Sequence, residues 1–196
     1  FIAGALLRPA IVRRILTGCA IIEALTAFQS EYPTRSGRLF LFHNLNLRFE
    51  TPAAFAAWLC NLGPLDWAPI GSVYHNTFKP SETDWRGHAS MAAMARHYTG
   101  LGWTTGPHLF LASGTAHDGL FVMTSPVMPG THAGPCNARR FGIEVVGNFD
   151  SHPMSAAQIT LLTETIAALH RWQGLGVDLL AHRDCMPGRT CPGDAA

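Results

Sequence analysis

The sequence has 196 residues, of which 47% are hydrophobic and 14% are charged, and its formal net charge is +1 with histidine neutral. This composition excludes a disordered chain, and the small charge gives no electrostatic reason to expect a nucleic acid or a strongly acidic partner. The chain is long enough for one large domain or for a domain with an appendage. Ten histidines in so neutral a chain direct attention to metal or proton chemistry.

Residues 1–28 are strongly apolar, but arginines interrupt them, so no apolar run of about 18 residues remains and we do not expect a membrane span. We expect an amphipathic helix that packs on the main domain; contact of this helix with a membrane surface is the alternative. A polar break over 31–37 follows. Because the chain begins at Phe1 rather than Met, we also expect an upstream piece. We divide the chain into an N-terminal extension of unknown role (1–60) and a domain over 61–196.

Strands and helices alternate along the rest of the sequence. Evenly spaced leucines predict a strand over 38–49, and Thr51-Pro52 predicts the start of a helix that ends at Cys60. The remaining predicted elements are strands over 70–75, 107–113, 120–124, 141–146 and 177–181, and helices over 90–98 and 153–172. This alternation predicts an α/β fold with helices around one sheet.

The longest predicted helix begins with a capping box from Ser155 to Gln158. Its apolar residues recur at helical spacing and predict a core-facing stripe formed by Ile159, Leu162, Ile166 and Leu169. The cysteines, by contrast, follow no framework spacing, so disulfides are not implied, although one metal-bound cysteine would leave four for pairing. These cysteines are Cys19, Cys60, Cys136, Cys185 and Cys191.

A histidine and a cysteine near the end of the sequence have the chemistry of metal ligands. His182 directly follows the predicted strand over 177–181, and Cys191 lies nine residues later in a loop rich in proline and glycine. Two ligands do not hold a catalytic metal, and His75, at the end of the strand over 70–75, is the candidate for the third. Alone, His75 would be interpreted as a core histidine. Together the three fit a catalytic Zn²⁺ with a fourth position open for water.

Glu144 lies in the apolar strand over 141–146, on the face opposite Ile143. A carboxylate in such a strand is costly unless it is paired or functional. One interpretation is an ion pair with Arg139 or Arg140, which are close in sequence. The other is a general base that takes a proton from water at the zinc.

Several polar residues near these candidates are assigned to substrate. His132, in the loop over 131–137, is predicted to contact substrate or to assist the oxyanion, because three metal ligands are already placed. Arg189 is predicted to stabilise the negative charge that develops on the scissile carbonyl, with a solvated loop arginine as the alternative. Further candidates for hydrogen bonds to the substrate or to the metal ligands are Asn76, Thr77 and Asn137.

Five motifs occur in an order that resembles the type-2, zinc-dependent N-acetylmuramoyl-L-alanine amidases. This family includes amidase-type phage lysozymes, AmpD-type amidases and peptidoglycan recognition proteins. The motifs are YHNT at 74–77, GWTTGPHLFL at 102–111, THAGPCN at 131–137, FGIEVVG at 141–147 and AHRDCMPGRTCPG at 181–193. The resemblance covers residues 67–194, about two thirds of the chain.

The resemblance implies a mixed central β-sheet flanked by α-helices, and a surface groove that holds a glycan–peptide substrate. It implies one zinc ion on His75, His182 and Cys191, with Glu144 as the family's glutamate. It also implies hydrolysis of the amide bond between N-acetylmuramic acid and L-alanine in peptidoglycan.

The sequence departs from the family at two positions and leaves alternatives open. Pro107 stands where some members have a tyrosine. Arg189 stands where lysine or threonine is common, and we give it an electrostatic role only, because a guanidinium does not readily act as an acid. The alternatives are a recognition module that binds peptidoglycan without cutting it, a recycling amidase for soluble muropeptides, and a hydrolase with Cys191 as nucleophile and His182 as base. We expect peptidoglycan or a muropeptide as the partner, no nucleic acid, and action at the bacterial cell envelope.

Overall fold

A computed structural model describes residues 43–196. The predicted helix within 1–28 and the start of the predicted strand over 38–49 therefore lie outside the described residues. In chain order the elements are β1 (Leu47–Phe49), α1 (Pro52–Leu59), β2 (Gly71–Asn76), α2 (His88–Gly100), β3 (Leu109–Ala112), β4 (Gly119–Val122), a 3₁₀ turn (Gly134–Cys136), β5 (Arg140–Val145), α3 (Ala156–Gln173), β6 (Leu179–Ala181) and α4 (His182–Cys185). Within this part of the chain, no helix is long and apolar enough to cross a bilayer.

The six strands form one mixed sheet in the order β1-β4-β3-β5-β2-β6. The pairs β1/β4 and β4/β3 are antiparallel, and the pairs β3/β5, β5/β2 and β2/β6 are parallel. Helices pack on both faces of this sheet. The predicted class, a mixed central sheet flanked by helices, is confirmed.

Side chains that alternate along β3 show which helix covers which face. Leu109 and Leu111 belong to the core cluster that includes residues of α1 and α3. Phe110 and Ala112 belong to the other cluster, with residues of α2. Each face of the sheet thus has its own apolar core, as the two-residue period of a strand requires.

Helix α3 begins with the predicted capping box, in which Ser155 and Gln158 exchange hydrogen bonds. The stripe of core residues differs from the prediction, because Ile159 is 48% exposed whereas Leu162 is 5% exposed. Gln158 takes the buried place in the first turn, where its Nε2 donates to the carbonyl oxygen of Val146 at 3.0 Å. In the first turn the buried residue is therefore Gln158, held by this hydrogen bond, whereas Ile159 is exposed.

The described residues before position 60 contribute to the same sheet and core. Strand β1 pairs with β4, and Phe55 and Leu59 of α1 are fully buried. The strand is shorter than predicted: residues 43–46 are not in a strand. The division of the chain at residue 60 stays a prediction, although this part of the fold shows no break there.

A disulfide joins Cys136, at the end of the 3₁₀ turn, to Cys185, at the end of α4. The scattered cysteine positions gave no indication of this pair. The bond connects the loop that carries His132 to the short helix that begins at His182.

Candidate metal centre

Three parallel strands that are neighbours in the sheet bring the candidate residues to one edge. His75 lies near the carboxyl end of β2, Glu144 near the carboxyl end of β5, and His182 directly after β6. In the strand register His75 lies opposite Glu144, which in turn lies opposite Phe110 of β3. The carboxyl ends of parallel strands are where α/β sheets place their ligands.

The loop that carries Cys191 is held closely against this edge. The backbone N–H of Arg183 donates to the carbonyl oxygen of Cys191 at 3.0 Å, and the Arg183 guanidinium donates to the carbonyl oxygen of Gly193 at 3.0 Å. Gly193 has φ of +117° and lies so near the backbone of Phe149 that a Cβ atom would collide with it. Only glycine therefore permits this approach of the loop.

His75, His182 and Cys191 each offer a ligand atom, and these atoms lie within 4.8 Å of one another. The distance from Nδ1 of His75 to the sulfur of Cys191 is 3.7 Å. A tetrahedral zinc ion, with bonds of about 2.0 Å to nitrogen and about 2.3 Å to sulfur, separates these two donors by about 3.6 Å. The donor set thus fits Zn²⁺ in both ligand type and spacing.

Burial favours the neutral form of each donor. Burial, and after it the nearby His132 and His182, lowers the pKa of His75 well below its usual value. Burial and then the charge of Arg189 lower the pKa of His182. Burial raises the pKa of the Cys191 thiol to about 12. The imidazoles therefore keep a lone pair for a metal, and the thiol needs a cation beside it to ionise.

These properties argue against Cys191 as a nucleophile. A thiol with so high a pKa is largely protonated at neutral pH and is a poor nucleophile. In addition, the imidazole nitrogen at hydrogen-bond distance from its sulfur, 3.7 Å away, belongs to His75, whereas the Cys–His alternative requires His182 as the base.

Glu144 is 7% exposed, and burial raises its pKa to about 8. Its Oε1 lies 4.0 Å from Nδ1 of His75. Arg140 forms two hydrogen bonds with Asp178 instead, at 2.8 and 2.9 Å, so the interpretation of Glu144 as the ion-pair partner of Arg140 is wrong. The carboxyl group is thus buried beside the metal donors, and within residues 43–196 no lysine or arginine side chain forms an ion pair with it.

A cleft of 640 Å³ opens beside these groups. Its lining includes the three metal donors and Glu144, together with predicted site residues Asn76, Thr77, His132 and Arg189. It also includes Phe78, Met94, Tyr98 and Trp103, which the sequence did not single out. Asn137 is not part of the lining.

Two of the predicted substrate contacts have hydrogen bonds within the protein. Oδ1 of Asn137 accepts the backbone N–H groups of His132 at 3.0 Å and Ala133 at 2.7 Å. The hydroxyl of Thr77 donates to the carbonyl oxygen of Pro80 at 2.6 Å and accepts from the N–H of Gly147 at 3.1 Å. Both side chains hold loops near the cleft, and their contact with substrate stays a prediction.

Asn76 is 9% exposed, and its backbone forms a hydrogen bond with Cys191 that lowers the pKa of the thiol against the effect of burial. Hydrogen bonds to sulfur orient a thiolate ligand and tune its basicity. Asn76 thus contacts a metal donor through its main chain, and a substrate contact of its side chain stays a prediction.

Helix α2 supplies a wall of the cleft that sequence reasoning missed. Tyr98 is 7% exposed and its ring stacks on Trp103 with centroids 5.0 Å apart. Burial, and after it the charge of Glu144, raises the pKa of Tyr98 well above its usual value. The sequence predicted the helix that carries Tyr98, but a helical pattern does not distinguish a core residue from one beside a cleft.

Phe78 lies at the cleft with an unusual backbone and exposed side chain. Its φ is +54°, and 52% of its surface is exposed. The N–H of Phe78 donates to the carbonyl oxygen of Gly147 at 2.9 Å, which holds the strained backbone in place. No sequence signal marks a phenylalanine for the left-handed region, which bulky side chains avoid.

Comparison with known proteins identifies the family. Residues 67–194 match the family described as N-acetylmuramoyl-L-alanine amidase. The fold is similar to the endolysin amidase LysCS of Clostridium intestinale, with 26% identity, a TM-score of 0.53, and coverage of 66% of this chain and 78% of that chain. It is also similar to the amidase LysC of the same organism, with 27% identity, a TM-score of 0.54, and coverage of 68% and 83%.

A more distant likeness concerns the fold alone. Wild-type Drosophila PGRP-LB shares 18% identity with a TM-score of 0.51, over 71% of this chain and 86% of that chain. No curated protein sequence matches the chain. The family match spans most of the described residues and includes the three donors and Glu144. The chain therefore belongs to the N-acetylmuramoyl-L-alanine amidase family.

Proposed function

We propose that this chain hydrolyses the amide bond between the lactyl group of N-acetylmuramic acid and the L-alanine of the stem peptide, with Zn²⁺ held by His75, His182 and Cys191. One observation carries the proposal: three metal-binding atoms lie within 4.8 Å of one another, beside a buried carboxyl group, in an open cleft. The likeness to two clostridial amidases above 25% identity supports the same activity.

The metal held by this site and the Glu144 carboxyl group have different roles in the reaction. Bound Zn²⁺ supplies a Lewis acid that polarises the carbonyl group and lowers the pKa of water. In its ionised form, which a cation bound at the neighbouring donors would favour, Glu144 accepts the proton of the attacking water while the water oxygen forms a bond to the lactyl carbonyl carbon. The same carboxyl group then gives the proton to the amide nitrogen as the C–N bond breaks. The products are a muramyl carboxylic acid and a peptide with a free amine.

Arg189 stabilises the negative charge that develops on the carbonyl oxygen. It is exposed and lines the cleft, and its charge lowers the pKa of His182. That influence supports an electrostatic effect of the guanidinium at the metal centre. Because the guanidinium stays protonated, Arg189 acts through its charge and not by proton transfer.

The substrate we propose is intact cell wall, and the place of action is the bacterial cell envelope. The disulfide between Cys136 and Cys185 supports this, because disulfides persist in oxidising surroundings and are rare in the cytosol. A recycling amidase that acts on soluble muropeptides is the alternative that the same chemistry allows.

Incubation of the protein with purified cell wall, followed by mass spectrometry of the soluble products, tests the reaction. We expect peptides that begin with L-alanine, loss of their release with a zinc chelator, and recovery when zinc is added back. Activity that persists in chelator would contradict the metal. Binding to the wall without release of products would establish a recognition module instead.

A matched pair of cysteine variants tests the ligand set. Cys191→Ser removes the proposed sulfur ligand, and we expect loss of stoichiometric zinc and of product release. Cys60→Ser changes a cysteine outside the cleft and should retain both properties. Equal zinc content in the two variants would remove Cys191 from the proposed site.

A further inference from the structure

His132 connects two parts of the protein through its two ring nitrogens. Its Nε2 lies 3.0 Å from the carbonyl oxygen of Arg140, and its Nδ1 lies 3.1 Å from Nε2 of His75. The residue is 7% exposed, so both nitrogens depend on these protein partners rather than on bulk water. The loop before β5 is thereby connected to a metal donor on β2.

The carbonyl oxygen determines where the hydrogen atoms lie. A carbonyl group accepts hydrogen bonds and cannot donate them, so Nε2 of His132 carries the hydrogen. A neutral imidazole has one N–H group, so Nδ1 of His132 is an acceptor and Nε2 of His75 donates to it. The lone pair of His75 is therefore on Nδ1, the nitrogen that lies 3.7 Å from the sulfur of Cys191.

The surroundings of His132 hold its ring in this orientation. A Cβ atom at position 142 would lie 2.8 Å from Nδ1 of His132 and still closer to two ring carbons, so Gly142 is what lets the ring lie against β5. Oδ1 of Asn137 accepts the backbone N–H of His132 at 3.0 Å and fixes the loop beneath the ring. Gly142 and Asn137 thus both serve the placement of one imidazole.

We propose that His132 is a positioning residue: by accepting a hydrogen bond from His75, it fixes the tautomer of His75 that presents Nδ1 to the metal. The inference rests on the proposed function, in which that metal is Zn²⁺. It gives His132 a role other than the predicted contact with substrate or oxyanion, because both ring nitrogens already have partners. Hydrogen bonds of this kind orient a metal-binding imidazole and raise its basicity.

Two substitutions at position 132 separate this role from simple packing. His132→Phe keeps a flat ring without an acceptor, whereas His132→Asn places an oxygen near the position of Nδ1. We expect the zinc dissociation constant, measured by competition with a chromogenic chelator, to rise about 10–100-fold in H132F. In H132N we expect it to stay closer to the wild-type value. Wild-type zinc affinity in a folded H132F protein, verified by circular dichroism, would overturn the proposal.

The tautomer can also be measured in the unmodified, zinc-loaded protein, which does not depend on whether a variant folds. Long-range ¹H–¹⁵N spectra distinguish the two nitrogens of each imidazole, and the signals of His75 are assigned by their loss in His75→Gln. We expect the hydrogen of His75 on Nε2, and a hydrogen on Nδ1 would overturn the proposal. A wild-type protein without zinc or without amidase products refutes the proposed function, whereas a functional zinc enzyme with the other tautomer refutes this inference alone.

Discussion

The six residues of β5 point alternately to the two faces of the sheet, and the residues on the two faces differ in chemistry. Phe141, Ile143 and Val145 belong to the fully buried apolar core that includes residues of α1 and α3. Glu144 lies on the other face, where it meets His75 at the end of the neighbouring strand. The period of two therefore lets one strand hold the fold together on one side and present chemistry on the other. Substitutions on the two faces should have opposite consequences.

The largest effect is expected on the face with the cleft. Glu144→Gln removes the proposed general base, and we expect product release from cell wall to fall about 10²–10⁴-fold. The free energy of unfolding should fall little, because burial already favours the neutral form of the Glu144 carboxyl group, and the amide that replaces it is neutral and of similar size. Steady-state kinetics and urea unfolding measure the two quantities. Glu164→Gln, on the exposed side of α3, is the control and should leave both unchanged.

On the core face the opposite pattern is expected. Ile143→Ala leaves a cavity next to the α3 side chains, and we expect a loss of about 2–5 kcal/mol in the free energy of unfolding. The rate of hydrolysis per folded molecule should stay near the wild-type value, because Ile143 does not line the cleft. A large loss of activity in fully folded I143A protein would show that the two faces are not independent.

A third prediction concerns His108, a buried histidine whose two ring nitrogens both form hydrogen bonds. Its Nδ1 accepts the N–H of Gly142 at 2.9 Å, and its Nε2 donates to the carbonyl oxygen of Met128 at 3.0 Å. Burial lowers its pKa to about 4, and the hydrogen bond to Met128 opposes this effect by raising the pKa. As the pH falls from about 6.5 to about 4, the unfolded chain gains a proton that the folded protein does not, so stability falls.

The size of this loss is about 3 kcal/mol for His108. Urea unfolding of the metal-free protein at a series of pH values measures it, and His108→Asn, which keeps an acceptor for Gly142, should reduce the dependence below pH 6.5. The lowered pKa values of His75 and His182 account for part of the dependence that remains. Above that pH the group is neutral in both states and should contribute no slope. The same pH dependence in H108N and in the wild type would contradict the assignment to His108.

The smallest effect is expected at Ile159, which the helical pattern placed in the core and the structure exposes. We expect Ile159→Gln to change the free energy of unfolding by less than about 0.5 kcal/mol. Leu162→Gln, one turn later and buried, should cost several times more in the same urea experiment. An equal loss of unfolding free energy in the two variants would show that Ile159 contributes to the core as much as Leu162 does.

The strands that carry His75, Glu144 and His182 were predictable because each is marked by a local pattern. His75 and His182 follow short apolar runs, Glu144 interrupts one, and parallel strands bring such positions to one edge of the sheet. The position of Cys191 in a loop was equally predictable, because proline and glycine residues surround it. What the pattern did not show was the distance between these residues, which depends on the order β5-β2-β6.

Features that depend on contacts between distant segments could not be predicted. The hydrogen bond from His75 to His132 spans 57 residues, and the Cys136–Cys185 pair spans 49. In the first turn of α3, Gln158 is buried with a hydrogen bond to Val146, directly after β5, and Ile159 is exposed; helical periodicity indicates neither. Each of these features involves a specific polar or covalent partner, and the pattern of apolar residues does not indicate which residues are partners.

The Cys136–Cys185 bond has a consequence for the stability of the fold. His132 and His182 are 50 residues apart along the backbone, yet Cys136 is only four residues after His132 and Cys185 is only three residues after His182. Closing a loop of this length lowers the conformational freedom of the unfolded chain by an amount equivalent to about 4 kcal/mol. A molecule in which this bond is reduced lacks that stabilisation. The stability of the fold is thereby linked to the redox state of one cysteine pair.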